Sequence, residues 1–191
     1  MERARVEELH FIARFEVVPS IYERGILCRA DAEHLNPPSI AEPDVLERRR
    51  IKRVPGGLYL FQYVNLYFDA RNAMLYRRQD QWAAIGVVRV APDVLDLPGA
   101  VITDRNAAAG AARFFVSSKG LEALDEEEVY AEWWDHSRDA KQKRMAEVLV
   151  PSRVGPSMLR GVLVRDDASA AMLRTILPDH QVTVDQALFF G

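Results

Sequence analysis

The chain has 191 residues, a net charge of −3, and a composition that is 49% hydrophobic and 28% charged, which excludes global disorder and a uniformly basic nucleic-acid coat. The single cysteine, Cys28, excludes an intrachain disulfide and a cysteine-cluster metal site. No apolar run reaches the ~18–20 residues that span a bilayer, and MERARVEELHFIARF lacks the apolar core of a signal peptide, so one cytoplasmic domain over residues 1–191 with no membrane partner is expected.

In chain order, LHFIA (9–13) reads as a short buried strand and VVPSIYERG (17–25) as a helix stopped by Gly25. CRADAEHLNPPSIAE (28–42) has two prolines and no clear period, and reads as a long loop. PDVLERRR (43–50) is a helix opened by Pro43, and VPGG (54–57) is a turn. YVNLYF (63–68) is a strand by its β-branched and aromatic content, followed by one or two helical turns in NAMLYRR (72–78). AAIGVVRVA (83–91) and AVIT (100–103) are strands. DRNAAAGAARFFVS (104–117) reads as a loop that ends helical, and residues 119–144, charged and carrying two tryptophans, as helix. EVLVP (147–151) and RGVLVRD (160–166) are strands. DASAAMLRTIL (167–177) is an amphipathic helix with Asp167 as its N-cap, and QVTVDQALFF (181–190) is a closing strand. Short strands interrupted by helices and long loops indicate an α+β fold with a mostly antiparallel or mixed sheet.

Walker loops, GxGxxG, HExxH and GxSxG are absent, and the four histidines are scattered, so no metal site is expected. The chemistry then rests on Arg, Glu, Tyr, Asn and a single His. In EVLVP, strand alternation puts Glu147 on one face with Leu149, opposite Ala146, Val148 and Val150. Such a carboxylate sits either at a solvated strand end or in a pocket with cationic or hydroxyl partners. RRRIKR (48–53) has five cations in six residues and RDAKQKR (138–144) has four with one anion. Each is a solvated face or a local anion cradle, a role that suits the planar fork of arginine. YVNLYFDARNAMLYRR (63–78) interleaves aromatics and cations, which suits either ring stacking beside phosphates or an ordinary amphipathic strand. His10, on a short apolar strand, is by default a satisfied core histidine.

HF (10–11), PSIYERGIL (19–27), ERR (47–49) with VPGG, YVNLYFDARNAMLY, ITDRNAA and MAEVLVP run in an order that resembles the DarT family, bacterial toxins that ADP-ribosylate DNA bases with NAD. The resemblance covers roughly residues 8–166, and its most distinctive part is YF-x-x-R-x-x-MLY. It implies a PARP-type ADP-ribosyltransferase fold, a split, mainly antiparallel sheet with peripheral helices and NAD in a central cleft. On that resemblance Glu147 is the catalytic glutamate and Arg49 the catalytic arginine. His10 holds ribose hydroxyls of NAD, and Gly25, Leu27, Tyr67, Met74 and Tyr76 line the NAD site. Arg71, Asn72, Arg48, Arg53, Arg144 and the loop residues Asp104, Arg105 and Asn106 contact DNA. Some family members carry histidine at the position of Asn106; asparagine still bonds a base edge but does not titrate near neutral pH.

The family mechanism calls for a carboxylate on the ribose 2′-hydroxyl whose hold strengthens as positive charge grows at C1′. Single-stranded DNA is the expected acceptor, since a base must be reached, and a DarG-like macrodomain antitoxin is the expected protein partner. Two rivals stand beside this reading: an ADP-ribosyltransferase acting on RNA or protein, and a nucleic-acid-binding module without catalysis.

Overall fold

A computed structural model describes residues 1–38, 40–131 and 137–191. Ten strands are β1 (Leu9–Arg14), β2 (Ile26–Leu27), β3 (Tyr63–Tyr67), β4 (Ile85–Val90), β5 (Val101–Thr103), β6 (Phe114–Val116), β7 (Glu147–Pro151), β8 (Arg153–Val154), β9 (Leu159–Val164) and β10 (Val182–Val184). The helices are α1 (Val18–Arg24), α2 (Arg29–Ala32), α3 (Pro43–Ile51), α4 (Ala73–Tyr76), α5 (Ser117–Gly120), α6 (Glu126–Val129), α7 (Arg138–Lys143) and α8 (Asp167–Ile176).

Eight strands form one sheet in the order β10-β9-β4-β1-β3-β7-β5-β6, and β2 pairs with β8 in a separate ladder. Every pairing is antiparallel except β9 with β10. The sheet is nearly two sheets. β1 meets β4 over six residue pairs and β3 meets β7 over five, but β1 meets β3 at one pair, His10 with Tyr67. That single join is the split that the family resemblance implied, and a cleft opens along it.

Both faces of the sheet are covered. Leu9, Ala13, Leu66, Val88 and Val148 pack with α1 and α8 on one side, and Ile12, Tyr67, Val87 and Leu163 pack with Trp82 and Phe189 on the other. Strands buried on both faces read as continuous apolar runs, which is why β7 is VLVP after its glutamate. Val148, Leu149 and Val150 are almost completely buried, and burial of each contributes about 1.5–3 kcal/mol. The strand that carries Glu147 is therefore among the best anchored in the molecule.

Several sequence expectations need correction. The 28–42 stretch contains α2, capped by the Cys28 sulfur accepting from the Asp31 amide at 3.4 Å, and a 3₁₀ turn at Glu33–Leu35. The end of 104–117 is strand β6, because Phe114–Val116 finds a partner in β5. The 119–144 stretch is broken into short helical pieces, and Trp133 and Trp134 lie outside the described residues. The N-cap of α8 is Asp166, which has an extended backbone and accepts from the Ser169 amide at 2.8 Å, while Asp167 is already in the first turn. The closing strand ends at Val184, because the Asp185 carboxylate accepts from the Leu188 amide at 3.0 Å and bends the chain into turns.

Candidate active site

Glu147 opens β7 and pairs with Tyr67 of β3 on one side and Thr103 of β5 on the other. Its side chain is 0% exposed. Burying a carboxylate costs several kcal/mol unless it is paired, and two groups meet it. Arg49 donates from Nη1 to Oε2 at 3.0 Å and to Oε1 at 3.3 Å, and the Ala107 amide donates to Oε1 at 3.1 Å. The Glu147 amide donates to Thr103 Oγ1 at 3.2 Å, and that hydroxyl donates on to the Arg105 carbonyl at 2.7 Å. The strand, the arginine helix and the loop after β5 thus converge on one carboxylate.

Arg49 lies in the last turn of α3, where a cation also favours the helix dipole. It is 7% exposed, and its Nη2 is buried with no hydrogen-bond partner among the described residues. A buried guanidinium nitrogen left without an acceptor is a vacancy for an anion or hydroxyl. Tyr67, buried beside the pair, donates its hydroxyl to Met74 Sδ at 3.7 Å. Burial, and then the Glu147 charge, push its phenol far up, so it stays protonated and acts as a donor.

The cleft at the split has a volume of about 890 Å³, within the range of small-molecule sites. Phe11 to Arg14 of β1, Gly25 and Leu27, Arg48 and Arg49, Asn65 and Tyr67, Met74 and the loop residue Asn106 are on its wall. Among the described residues eight cations line it against three glutamates. Arg14, Arg24 and Arg78 are paired with Glu16, Glu23 and Glu42. Arg29, Arg48, Arg77 and Lys141 have no carboxylate partner among the described residues. A locally positive, partly apolar cleft on a net-negative protein suits a dinucleotide with a diphosphate at its middle. Gly25 shapes the wall: its φ of 86° is left-handed, and a Cβ there would lie 2.2 Å from the Val154 carbonyl oxygen.

Of the candidate residues, the structure brings together Glu147, Arg49, Gly25, Leu27, Tyr67, Met74, Arg48 and Asn106 in or directly behind this cleft. Others stand elsewhere, each for a physical reason. His10 is not on the wall; its Nε2 is 3.1 Å from Glu8 Oε1, and Glu8 also takes Arg89 Nε at 2.7 Å. Tyr76 turns outward against Phe190, with ring centroids 5.1 Å apart, and Arg71 lies over the same ring and donates to the Ala187 carbonyl. Asn72 is completely buried as the N-cap of α4, accepting from the Met74 and Leu75 amides and donating to the Asp69 carbonyl, so its amide is used up in the fold. Arg144 is buried on Asp69 Oδ2 at 2.7 Å and the Arg71 carbonyl at 2.7 Å, away from the cleft wall.

Asp104 and Arg105 clamp the loop rather than face outward. The Arg113 amide and Nε donate to Asp104 at 3.0 and 2.8 Å, and Arg105 joins Asp104 to Asp139. Burial alone pushes the Asp104 carboxyl up, but the Arg113 and Arg105 hydrogen bonds outweigh it and hold it below the usual aspartate value. Arg53 is exposed, outside the cleft, on the Gly57 carbonyl at 3.0 Å.

Sequence reasoning missed the Ala107 amide, Thr103 and Asn65. Period-two alternation from Tyr67 places Asn65 on the same face of β3, so that signal was available. The Ala107 amide was not, because it reaches Glu147 only through tertiary closure of the loop. Among the described residues no group of His, Cys, Asp and Glu could hold a metal ion, and no helix is long and apolar enough to cross a membrane.

The chain is similar to several known proteins. A DNA ADP-ribosyl transferase–DNA ADP-ribosyl glycohydrolase fusion protein of Thermosipho africanus (strain H17ap60334) is 30% identical over 198 residues, covering 97% of this chain and 50% of the relative. The chain therefore spans half the length of that fusion protein. The solved structure of Thermosipho africanus DarTG in complex with ADP-ribose has a TM-score of 0.85 at 28% identity, over 96% of this chain and 51% of that one. A DNA ADP-ribosyl transferase of Thermus sp. (strain 2.9) is 34% identical over 158 residues, 74% of this chain and 73% of the relative. The structure of Thermus sp. 2.9 DarT in complex with ADP-ribosylated ssDNA shares the fold, with a TM-score of 0.82 at 22% identity over 96% of each chain. The model of the family described as "ssDNA thymidine ADP-ribosyltransferase, DarT" matches residues 10–190, nearly the whole chain, and the chain belongs to the DarT family.

Proposed function

We propose that this chain transfers ADP-ribose from NAD to a thymidine base in single-stranded DNA, and that one domain over residues 1–191 carries the whole site. The observation that supports it most is the buried Arg49–Glu147 pair at the floor of a cation-rich cleft, with Nη2 of the arginine left open. The family description and the ADP-ribosylated ssDNA in the Thermus complex give the substrate class.

In this reading Glu147 accepts a hydrogen bond from the 2′-hydroxyl of the ribose that loses nicotinamide. The bond from C1′ to the nicotinamide nitrogen breaks, with its electron pair leaving on that nitrogen. A ring nitrogen of the base attacks C1′, and its proton passes to the Glu147 carboxylate. The carboxylate stabilises positive charge that exists only near the transition state, so its contribution is to rate more than to affinity. Arg49 keeps the carboxylate oriented and offers Nη2 to substrate oxygen. Tyr67 and Met74 flank the reacting end, and unpaired cations such as Arg29 and Arg77 hold the diphosphate. Since Glu147 is 0% exposed and held by Arg49 and the Ala107 amide, the groups over the carboxylate have to move for substrate to reach it.

The Thermosipho relative carries a DNA ADP-ribosyl glycohydrolase in the same polypeptide. By the same logic the activity is toxic unless reversed, the partner is a macrodomain-type glycohydrolase, and the site of action is the cytoplasm, where NAD and single-stranded DNA coexist. The test is intact mass of oligothymidylate after incubation with the protein and NAD. One added ADP-ribose, absent with Glu147→Ala, is expected. Modification of RNA or protein alone would refute the DNA acceptor, and nicotinamide release at wild-type rate by Glu147→Ala would refute the mechanism.

A further inference from the structure

The two basic runs are alike in sequence and unequal in structure. In 138–144, Lys143 is held by Glu128 at 2.8 Å and Asp139 at 3.2 Å, and Arg144 is buried on Asp69. In 48–53, Arg48, Lys52 and Arg53 donate, among the described residues, to the backbone carbonyls of Asp44, Ala109 and Gly57. No carboxylate among the described residues pairs with these three. A carbonyl satisfies an N–H but does not cancel a charge, so this face keeps three cations to offer.

Aromatic rings stand beside them. The Arg53 guanidinium lies 5.0 Å from the centroid of Tyr59, whose side chain is 43% exposed. Lys52 Nζ lies 5.2 Å from the Phe114 centroid. Ile51 is 75% exposed in the same turn. Arg53 and Tyr59 are bridged as an antiparallel pair, which fixes cation and ring side by side. The face is continuous with the cleft, since Arg48 is on the cleft wall and Lys52 bonds Ala109, which is also on it. Cations with ring faces in a line from an active-site mouth are the arrangement that holds single strands, phosphate on charge and base on ring.

We propose that the end of α3 and the 53–59 turn bind the nucleotides flanking the target base in single-stranded DNA, with Arg48, Lys52 and Arg53 on phosphates and Tyr59 stacked on one base. The proposal rests on the single-stranded DNA reading above and adds the path of the strand, leaving Lys143 and Arg144 of the 138–144 run without a part in it.

The experiment measures binding of the full chain to labelled oligothymidylates of four and twelve nucleotides across a salt series. For the wild type, the longer strand binds more tightly and with a steeper salt slope. Arg53→Gln lowers the slope on the twelve-mer by about 0.7, the share of one single-strand phosphate contact. Tyr59→Ala weakens twelve-mer binding about 5- to 100-fold with little change in slope. Lys143→Gln leaves both as in the wild type. Wild-type binding by Arg53→Gln and Tyr59→Ala, or a slope lowered by Lys143→Gln instead, overturns the proposal. Mass analysis of the same oligonucleotides with NAD separates the two levels: modification by the wild type with no effect of these variants removes only the flanking track, whereas no modification removes the activity beneath it.

Discussion

Replacing Arg49 with alanine strips the guanidinium from a carboxylate that is 0% exposed and leaves it one hydrogen bond, from Ala107. Removing one partner of a buried ion pair costs about 3–5 kcal/mol, because the remaining charge is stranded in a low-dielectric site. For a chain of this size that is a drop in melting temperature of roughly 6–20 °C. The second half of the argument is a rescue. Glu147→Gln in the Arg49→Ala background removes the stranded charge and keeps an oxygen for the Ala107 amide, so it recovers roughly 2 kcal/mol. Arg48→Ala, next in the helix but exposed and unpaired, changes stability by no more than about 0.5 kcal/mol. The assay is urea unfolding at pH 7, followed by circular dichroism and by tryptophan fluorescence to check that the transitions coincide. If Arg49→Ala unfolds within about 1 kcal/mol of the wild type, or Glu147→Gln destabilises it further, the carboxylate is not desolvated as described.

The remaining predictions concern the loop clamp, the cleft wall and the thiol. Asp104 is held below the usual value of 3.8, so its contribution to stability is complete above that pH and is lost as pH falls through the lowered folded-state value. Urea midpoints at pH 5 and pH 3 should therefore differ less in Asp104→Asn than in the wild type, and an equal difference in both would count against the clamp. Gly25→Ala should cost at least about 2 kcal/mol, since it combines a left-handed φ with a clash on the Val154 carbonyl; a melting curve overlaying the wild type would contradict that wall geometry. The Cys28 thiol is buried and pushed up to about 11, so it should resist iodoacetamide at pH 8 in the native chain and react once unfolded.

The sequence carried the local part of this structure. The apolar run after Glu147, the alternation that set its face, the proline opening α3 and the glycine ending α1 are all written in a few adjacent residues. What escaped was decided between distant ones. Arg144 and Asp69 are 75 positions apart, so the basic run around Arg144 looked solvated when its last member is a buried structural cation. Asn72, which the family resemblance put at the substrate, is the buried N-cap of α4, a role its local pattern does not show. The same limit hid the loop amide at Glu147, 40 positions away. Charge spacing alone cannot tell Lys143, with two carboxylates, from Arg53, with none among the described residues.

The single His10–Tyr67 join between the half-sheets also sets how this molecule can deform. Bending anywhere else across the sheet disturbs a ladder of three to six residue pairs, while bending here disturbs one. Each half then moves as a stiff plate, with Arg14 on one plate and Tyr67 on the other facing across a line of least mechanical resistance. Tyr67 is hinge and wall at once, and Glu147 is its cross-strand neighbour. A change in the gap between the plates is transmitted to the carboxylate through one strand spacing, with no lever arm between them.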